Sequence, residues 1–181
     1  MFVGVLSLIV NVFLVTVTWR LVRNTKDTAQ HQLRAYVSVS VESHPDTQSN
    51  QPLTAILILK NSGLTPAYVV SVWARMGLRP YPGEDKDFER LSIIYAHGRF
   101  IFDPREKYRI SPEEDKITLT DQDRTGIVEG GDGLYVWGEI TYEDAFKRKW
   151  LRKFRLIIAG KHMASGSELR WCEFGNKESQ V

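Results

Sequence analysis

The sequence predicts a mainly β protein: an antiparallel β-sandwich of the immunoglobulin-like type, preceded by one N-terminal transmembrane α-helix. Three observations carry this reading. No charged side chain occurs from Met1 to Trp19; AYVSVSVES alternates apolar and polar residues from Ala35; and GLYVWGEITYEDAFKRKWLRKFRLIIAG reads as two alternating strands around a short turn. Short strands separated by loops, with no helical crossovers between them, fit a two-sheet antiparallel domain.

The first run, MFVGVLSLIVNVFLVTVTW, just meets the length of about 20 residues that a helix needs to cross a bilayer core. A secretory signal would show a basic start and a small-residue cleavage site, and neither is present. Residues 1–22 are therefore expected to be an uncleaved anchor embedded in the lipid bilayer. Arg20, Arg23 and Lys26 follow it directly, and cytoplasmic flanks carry the excess of Lys and Arg. The expected topology is a single pass, N-terminus outside and domain in the cytoplasm.

Residues 23–34 are polar and rich in helix formers, so the anchor helix is expected to continue as a stalk. The β domain is assigned to 35–160. In its first strand Ala35, Val37, Val39 and Val41 share one face; LTAILILK, apolar on both faces, is expected to be central. Asn61, Ser62 and Gly63 break it, and the chain returns antiparallel through AYVVSVWARM. Residues 78–90 form a charged surface loop, while LSIIYAHGRFIF and KITLT are expected as further strands. In the terminal hairpin Leu134, Val136, Gly138, Ile140 and Tyr142 share a face, as do Trp150, Phe154, Leu156 and Ile158. Residues 161–181 form a polar tail, with SELRWCEF as a last strand or docked turn.

Three short motifs stand out: Arg34-Ala35-Tyr36-Val37, the Asn61 to Ala67 turn NSGLTPA, and the Tyr142 to Phe146 turn YEDAF. With the N-terminal anchor they resemble a group of small, uncharacterised bacterial membrane proteins that pair one or two hydrophobic helices with a single β-rich domain. Lys147 stands where glycine is usual in the last motif. The resemblance implies an architecture and no known activity.

Candidate chemistry is sparse. DQDRTGIVEGGD sets Asp121, Asp123, Thr125, Glu129 and Asp132 at calcium-loop spacing, with Gly126 at the bend. Its flanks look like strands instead of paired helices, so a plain exposed loop is the competing reading, and calcium is the one cofactor considered. His31, His44, His97 and His162 lack metal-ligand spacing, and Cys172, the single cysteine, is read as a semi-buried structural thiol. Glu113, Glu114 and Asp115 read as a solvated turn, and no nucleophile or phosphate-loop motif is present.

The net charge of +2, from 24 Lys and Arg against 22 Asp and Glu, argues against a nucleic-acid partner. The basic strand KRKWLRKFR is of more interest. Lys147, Lys149, Lys153 and Arg155 alternate away from Trp150 and Phe154, which predicts a positive solvent-facing stripe. It would protect an edge strand or attract anionic lipid headgroups. The function expected is that of a membrane-anchored, non-enzymatic interaction or scaffolding module with an unknown protein partner. A periplasm-facing binding domain, with calcium at 121–132, is the alternative, and an enzyme whose residues only assemble in space comes third.

Overall fold

The structure is a computed structural model that describes residues 2–48, 50–89, 100–112, 117–160 and 168–181, with side chains from Asn11 onward. The chain divides into two compact units, Met1–Arg34 and Ala35–Val181.

The first unit is one helix, α1 (Phe2–Leu33), which runs without a break through the residues expected as anchor and stalk. Thr16 Oγ1 donates to the Val12 carbonyl and Thr25 Oγ1 to that of Leu21, so these hydroxyls are satisfied within the helix. Arg23 lies over the Trp19 ring one turn back, 5.6 Å from its centroid. Among the described residues no helix is long and apolar enough to cross a membrane, and the transmembrane expectation for residues 1–22 gains no support there.

The second unit holds two antiparallel sheets. In the smaller, β2 (Ile56–Asn61) lies between β1 (Val37–Ser43) and β5 (Lys107–Ile110). In the larger the order is β4 (Phe100–Phe102), β3 (Ala67–Pro80), β6 (Asp132–Asp144), β7 (Lys149–Ala159) and β8 (Arg170–Trp171), with β9 (Lys177–Gln180) also paired to β7. β2 is central, as its apolar run requires. After Asn61, however, the chain leaves the first sheet: β3 pairs with β4 and β6, not with β2.

Alternation places Val37, Val39, Leu57 and Leu59 of the smaller sheet and Val72, Ala74, Met76, Leu134, Val136, Ile140 and Tyr142 of the larger in one apolar core. The β6–β7 hairpin keeps the expected faces, with Leu134 opposite Ile158, Val136 opposite Leu156 and Tyr142 opposite Trp150. Gly138 faces Phe154 across it, and a Cβ at Gly138 would lie 2.2 Å from the Trp73 carbonyl oxygen. Only glycine lets β3 and the Phe154 ring approach this closely.

The three motifs are structural joints at one end of this unit. The Asn61 side chain, fully buried, accepts from the Tyr36 and Gly63 N–H groups at 3.3 and 3.0 Å and donates to the Thr65 and Phe102 carbonyls at 2.8 and 2.9 Å. One amide thereby joins the entry to β1, the β2–β3 turn and the end of β4. Tyr142 Oη donates to the Glu178 carboxylate at 2.5 Å and lies 3.3 Å from the Ala35 carbonyl, which ties the tail to the place where the chain enters the domain. In the hairpin turn the buried Asp144 carboxylate accepts from Phe146 N, Arg148 N, Arg148 Nε and Trp150 Nε1 at 2.8 to 3.1 Å. Lys147, at φ 64°, takes the left-handed conformation that glycine favours.

Several sequence expectations are corrected. Residues 117–120 form no strand; Thr120 instead caps α2 (Asp121–Glu129), its side chain accepting from Asp123 N while Asp123 accepts from Thr120 N. Gly130, at φ 83°, ends the helix. β8 falls within SELRWCEF, expected as a last strand or docked turn, and β8 and β9 both pair with β7, so β7 is no edge strand along these segments. Within LSIIYAHGRFIF, Phe100–Phe102 is β4, and the rest lies outside the described residues, as do Glu113, Glu114 and Asp115.

Candidate functional site

The expected calcium stretch is helical where a ligand loop needs converging turns. Asp121 pairs with Arg124 at 2.8 Å, Asp123 is used as a cap, and Thr125 Oγ1 donates to the Asp121 carbonyl at 2.9 Å. Glu129 is exposed at the last turn, and Asp132 begins β6. A helix spreads side chains around its axis, and among the described residues no group of three or more His, Cys, Asp or Glu is placed to hold a metal ion. His44 Nδ1 accepts from Leu169 N at 2.8 Å, a structural tie, while His97 and His162 lie outside the described residues.

The basic stripe is likewise broken up. Lys153 pairs with Glu139 at 3.0 Å and Lys147 with Glu143 at 3.2 Å, because β6 presents its carboxylates on the same face of the hairpin. Lys149 is exposed, opposite Glu143. Arg155, expected in solvent, is only 7% exposed. Arg20, Arg23 and Lys26 are exposed along α1.

What buries Arg155 is a second apolar cluster, on the face of the larger sheet turned away from the core. Trp73, Tyr135 and Trp137 alternate outward from β3 and β6, and Phe88 covers them from a 3-10 turn, Asp85–Phe88. The Phe88 ring meets Tyr135 and Trp137 edge to face, with centroids 4.8 and 5.5 Å away. This turn sits close because Gly83 leaves room: a Cβ there would be 2.6 Å from the Phe88 ring.

Arg155 locks two chain segments over this face. Its guanidinium stacks on Phe88 at 3.7 Å from the centroid, and Nη2 donates to Asp85 Oδ1 at 2.9 Å. From the other side Gly175, at φ 85°, packs so tightly that a Cβ would be 2.5 Å from the guanidinium carbon. Asn176 then acts in place of a strand, its side chain accepting from Arg155 N at 2.8 Å and donating to Arg155 O at 3.3 Å.

Between the 3-10 turn and residues 173–177 runs a groove of about 910 Å³, floored by Trp73, Trp137, Glu139, Lys153 and Arg155. Trp73 Nε1 donates to Glu139 at 3.3 Å, which holds that carboxylate beside Lys153. Trp137 Nε1, by contrast, is a buried donor with no hydrogen-bond partner among the described residues. Burial pushes the neighbouring Cys172 thiol up to about 11, only partly offset by Arg155, so it stays protonated near neutrality and is a poor nucleophile. The groove offers aromatic surface and hydrogen-bond donors.

A family model matches residues 2–160, from the start of α1 to the end of β7. The chain belongs to the DUF8453 family, described as a domain of unknown function. No curated protein and no solved structure matches it. The DUF8453 match takes in α1 and the groove floor, while β8, β9 and the Gly175–Asn176 wall lie beyond it.

The groove residues were hidden in plain alternation. Once Leu134, Val136 and Ile140 are assigned to the core, Tyr135 and Trp137 must point the other way. Two large aromatics on a nominally wet face signal that something covers it.

Proposed function

We propose that this protein is a membrane-anchored, non-enzymatic interaction module. Residues 1–22 are its anchor, the β domain its recognition unit and the outer-face groove its contact site. The observation that carries the anchor is the surface of α1: Val12, Phe13, Leu14, Val15, Val17, Trp19, Leu21 and Val22 are each 46 to 69% exposed. Apolar side chains all around a helix call for an apolar surrounding, and the uncharged run from Met1 supplies the length. The basic residues Arg20, Arg23 and Lys26 favour the cytoplasmic side for the domain, and the resemblance to small bacterial membrane proteins makes the membrane a bacterial inner one.

The strand order supports the finer fold reading. Taking β1, β2 and β5 as strands A, B and E, and β4, β3, β6 and β7 as C′, C, F and G, the two sheets follow the immunoglobulin pattern, with α2 at the E–F connection. Such sandwiches serve recognition in many contexts, although fold alone assigns no partner.

Two C-terminal reporter fusions test the anchor and its orientation. A cytoplasm-dependent fluorescent reporter should light up in the membrane fraction, and an export-dependent reporter should stay silent. Activity of the exported reporter would reverse the orientation, and a fusion found wholly in the soluble fraction would remove the anchor.

A further inference from the structure

We propose that the outer-face groove binds a carboxylate, presented by an acidic side chain on an extended peptide segment of a partner protein, with Asp85 acting as a built-in competitor for Arg155. This deepens the reading of the domain as an interaction module and rests on it for the peptide nature of the ligand.

Two residues of the groove have hydrogen-bond donors to spare among the described residues. Arg155 is 7% exposed, yet among the described residues its side-chain hydrogen bonding is the single contact from Nη2 to Asp85. Phe88 and Gly175 cover the guanidinium faces, so its remaining capacity lies in the plane of the group, where a carboxylate accepts two parallel N–H bonds. The second such donor is Trp137 Nε1, on a side chain only 4% exposed. Both residues line the same groove. Buried donors are normally matched with acceptors, and a site that sets the unmatched Trp137 indole beside a guanidinium held by one exposed carboxylate suits a ligand that brings acceptor oxygens of its own.

Asp85 shows the chemistry at work. Its side chain is 88% exposed, so the carboxylate that meets Arg155 is held from solvent and not by the fold. An incoming carboxylate needs only to turn it aside. Beyond the Asp85–Arg155 pair the charged lining balances, Glu89, Glu139 and Glu173 against Lys86, Lys153 and Lys177, so the groove has no surplus of positive charge to hold a doubly charged phosphate. The size points beyond a lone anion: about 910 Å³ accommodates several residues of chain, and Phe174, 72% exposed at the rim, offers apolar contact to side chains beside the acidic one.

The test uses the full chain in detergent micelles with its tryptophan indoles labelled with 15N, the Trp137 resonance being assigned by its loss in Trp137→Phe. Sodium acetate, inorganic phosphate and the blocked peptide acetyl-Ala-Leu-Glu-Leu-Ala-amide, beside its Gln counterpart, are titrated at constant ionic strength. The expected result is a saturable shift of the Trp137 indole with acetate and, more tightly, with the Glu peptide, and none with the Gln peptide. Asp85→Ala, at an exposed side chain, should tighten the Glu peptide on the order of tenfold by removing the competitor. Arg155→Gln should abolish the response. No saturable shift in Asp85→Ala, or tighter binding of phosphate than of acetate, would overturn the carboxylate site. Acetate binding without a preference for the Glu peptide would overturn the peptide assignment. The reporter fusions read the anchor and this titration reads the groove, so either can fail without the other.

Discussion

Asp144 organises the β6–β7 turn. Burial raises its pKa, but hydrogen bonds from Arg148 N, Trp150 Nε1, Phe146 N and the Arg148 side chain outweigh that and hold the carboxyl below its ordinary range. A depressed carboxyl contributes stability that is present above its unfolded value, about 3.9, and is lost as pH falls through the lower folded value. Asp144→Asn, which cannot match this set of donors, should cost about 3 kcal/mol at neutral pH. Thermal melts of the two proteins should converge below about pH 4; a gap that stays constant with pH would show that the charge is irrelevant. The sequence marked this residue only as part of a turn motif. Its role as a buried acceptor for four donors depends on where Trp150 and Arg148 come to lie.

At the scale of elements, the same turn holds a testable fault. The three residues Ala145, Phe146 and Lys147 close the hairpin, with Lys147 N donating to the Asp144 carbonyl and Asp144 N to that of Arg148. Lys147 at φ 64° is a residue with a Cβ in a glycine conformation, which costs about 1 kcal/mol. Against this stand an exposed pairing with Glu143 and a contact over the Tyr68 ring. Lys147→Gly should therefore raise the melting temperature by about 2 °C, and a lower value would mean that the side-chain contacts outweigh the backbone strain. The departure from glycine was visible in the sequence. α2 was not: its Thr120 cap and Gly130 stop are plain helix signals, but acidic residues at calcium-loop spacing between two expected strands obscured them.

The whole molecule raises the question of what surrounds α1. Its exposed apolar side chains make an arginine near the middle costly in a bilayer, by about 2.5 to 3.5 kcal/mol, and nearly free in water. Val15→Arg should shift the full chain measurably from the membrane to the soluble fraction on centrifugation. An unchanged distribution would mean that α1 is covered by something other than lipid.

The sequence by itself determined which residues of each strand share a face, where the turns fall, and that a long apolar segment precedes a β domain. These are local properties, written in periods of two and in Gly, Pro, Asn and Asp at the bends. Only the tertiary structure decided what covers each face. It sent β3 to the second sheet, laid the tail along β7 and turned Arg155 from a solvent charge into the buried clasp of the groove. Alternation states that Arg155 points away from the core; it does not state that Phe88 and Gly175, some 67 and 20 positions away in the chain, meet it there. Such contacts arise from chain closure over long separations, and the pattern around any one residue carries no record of them.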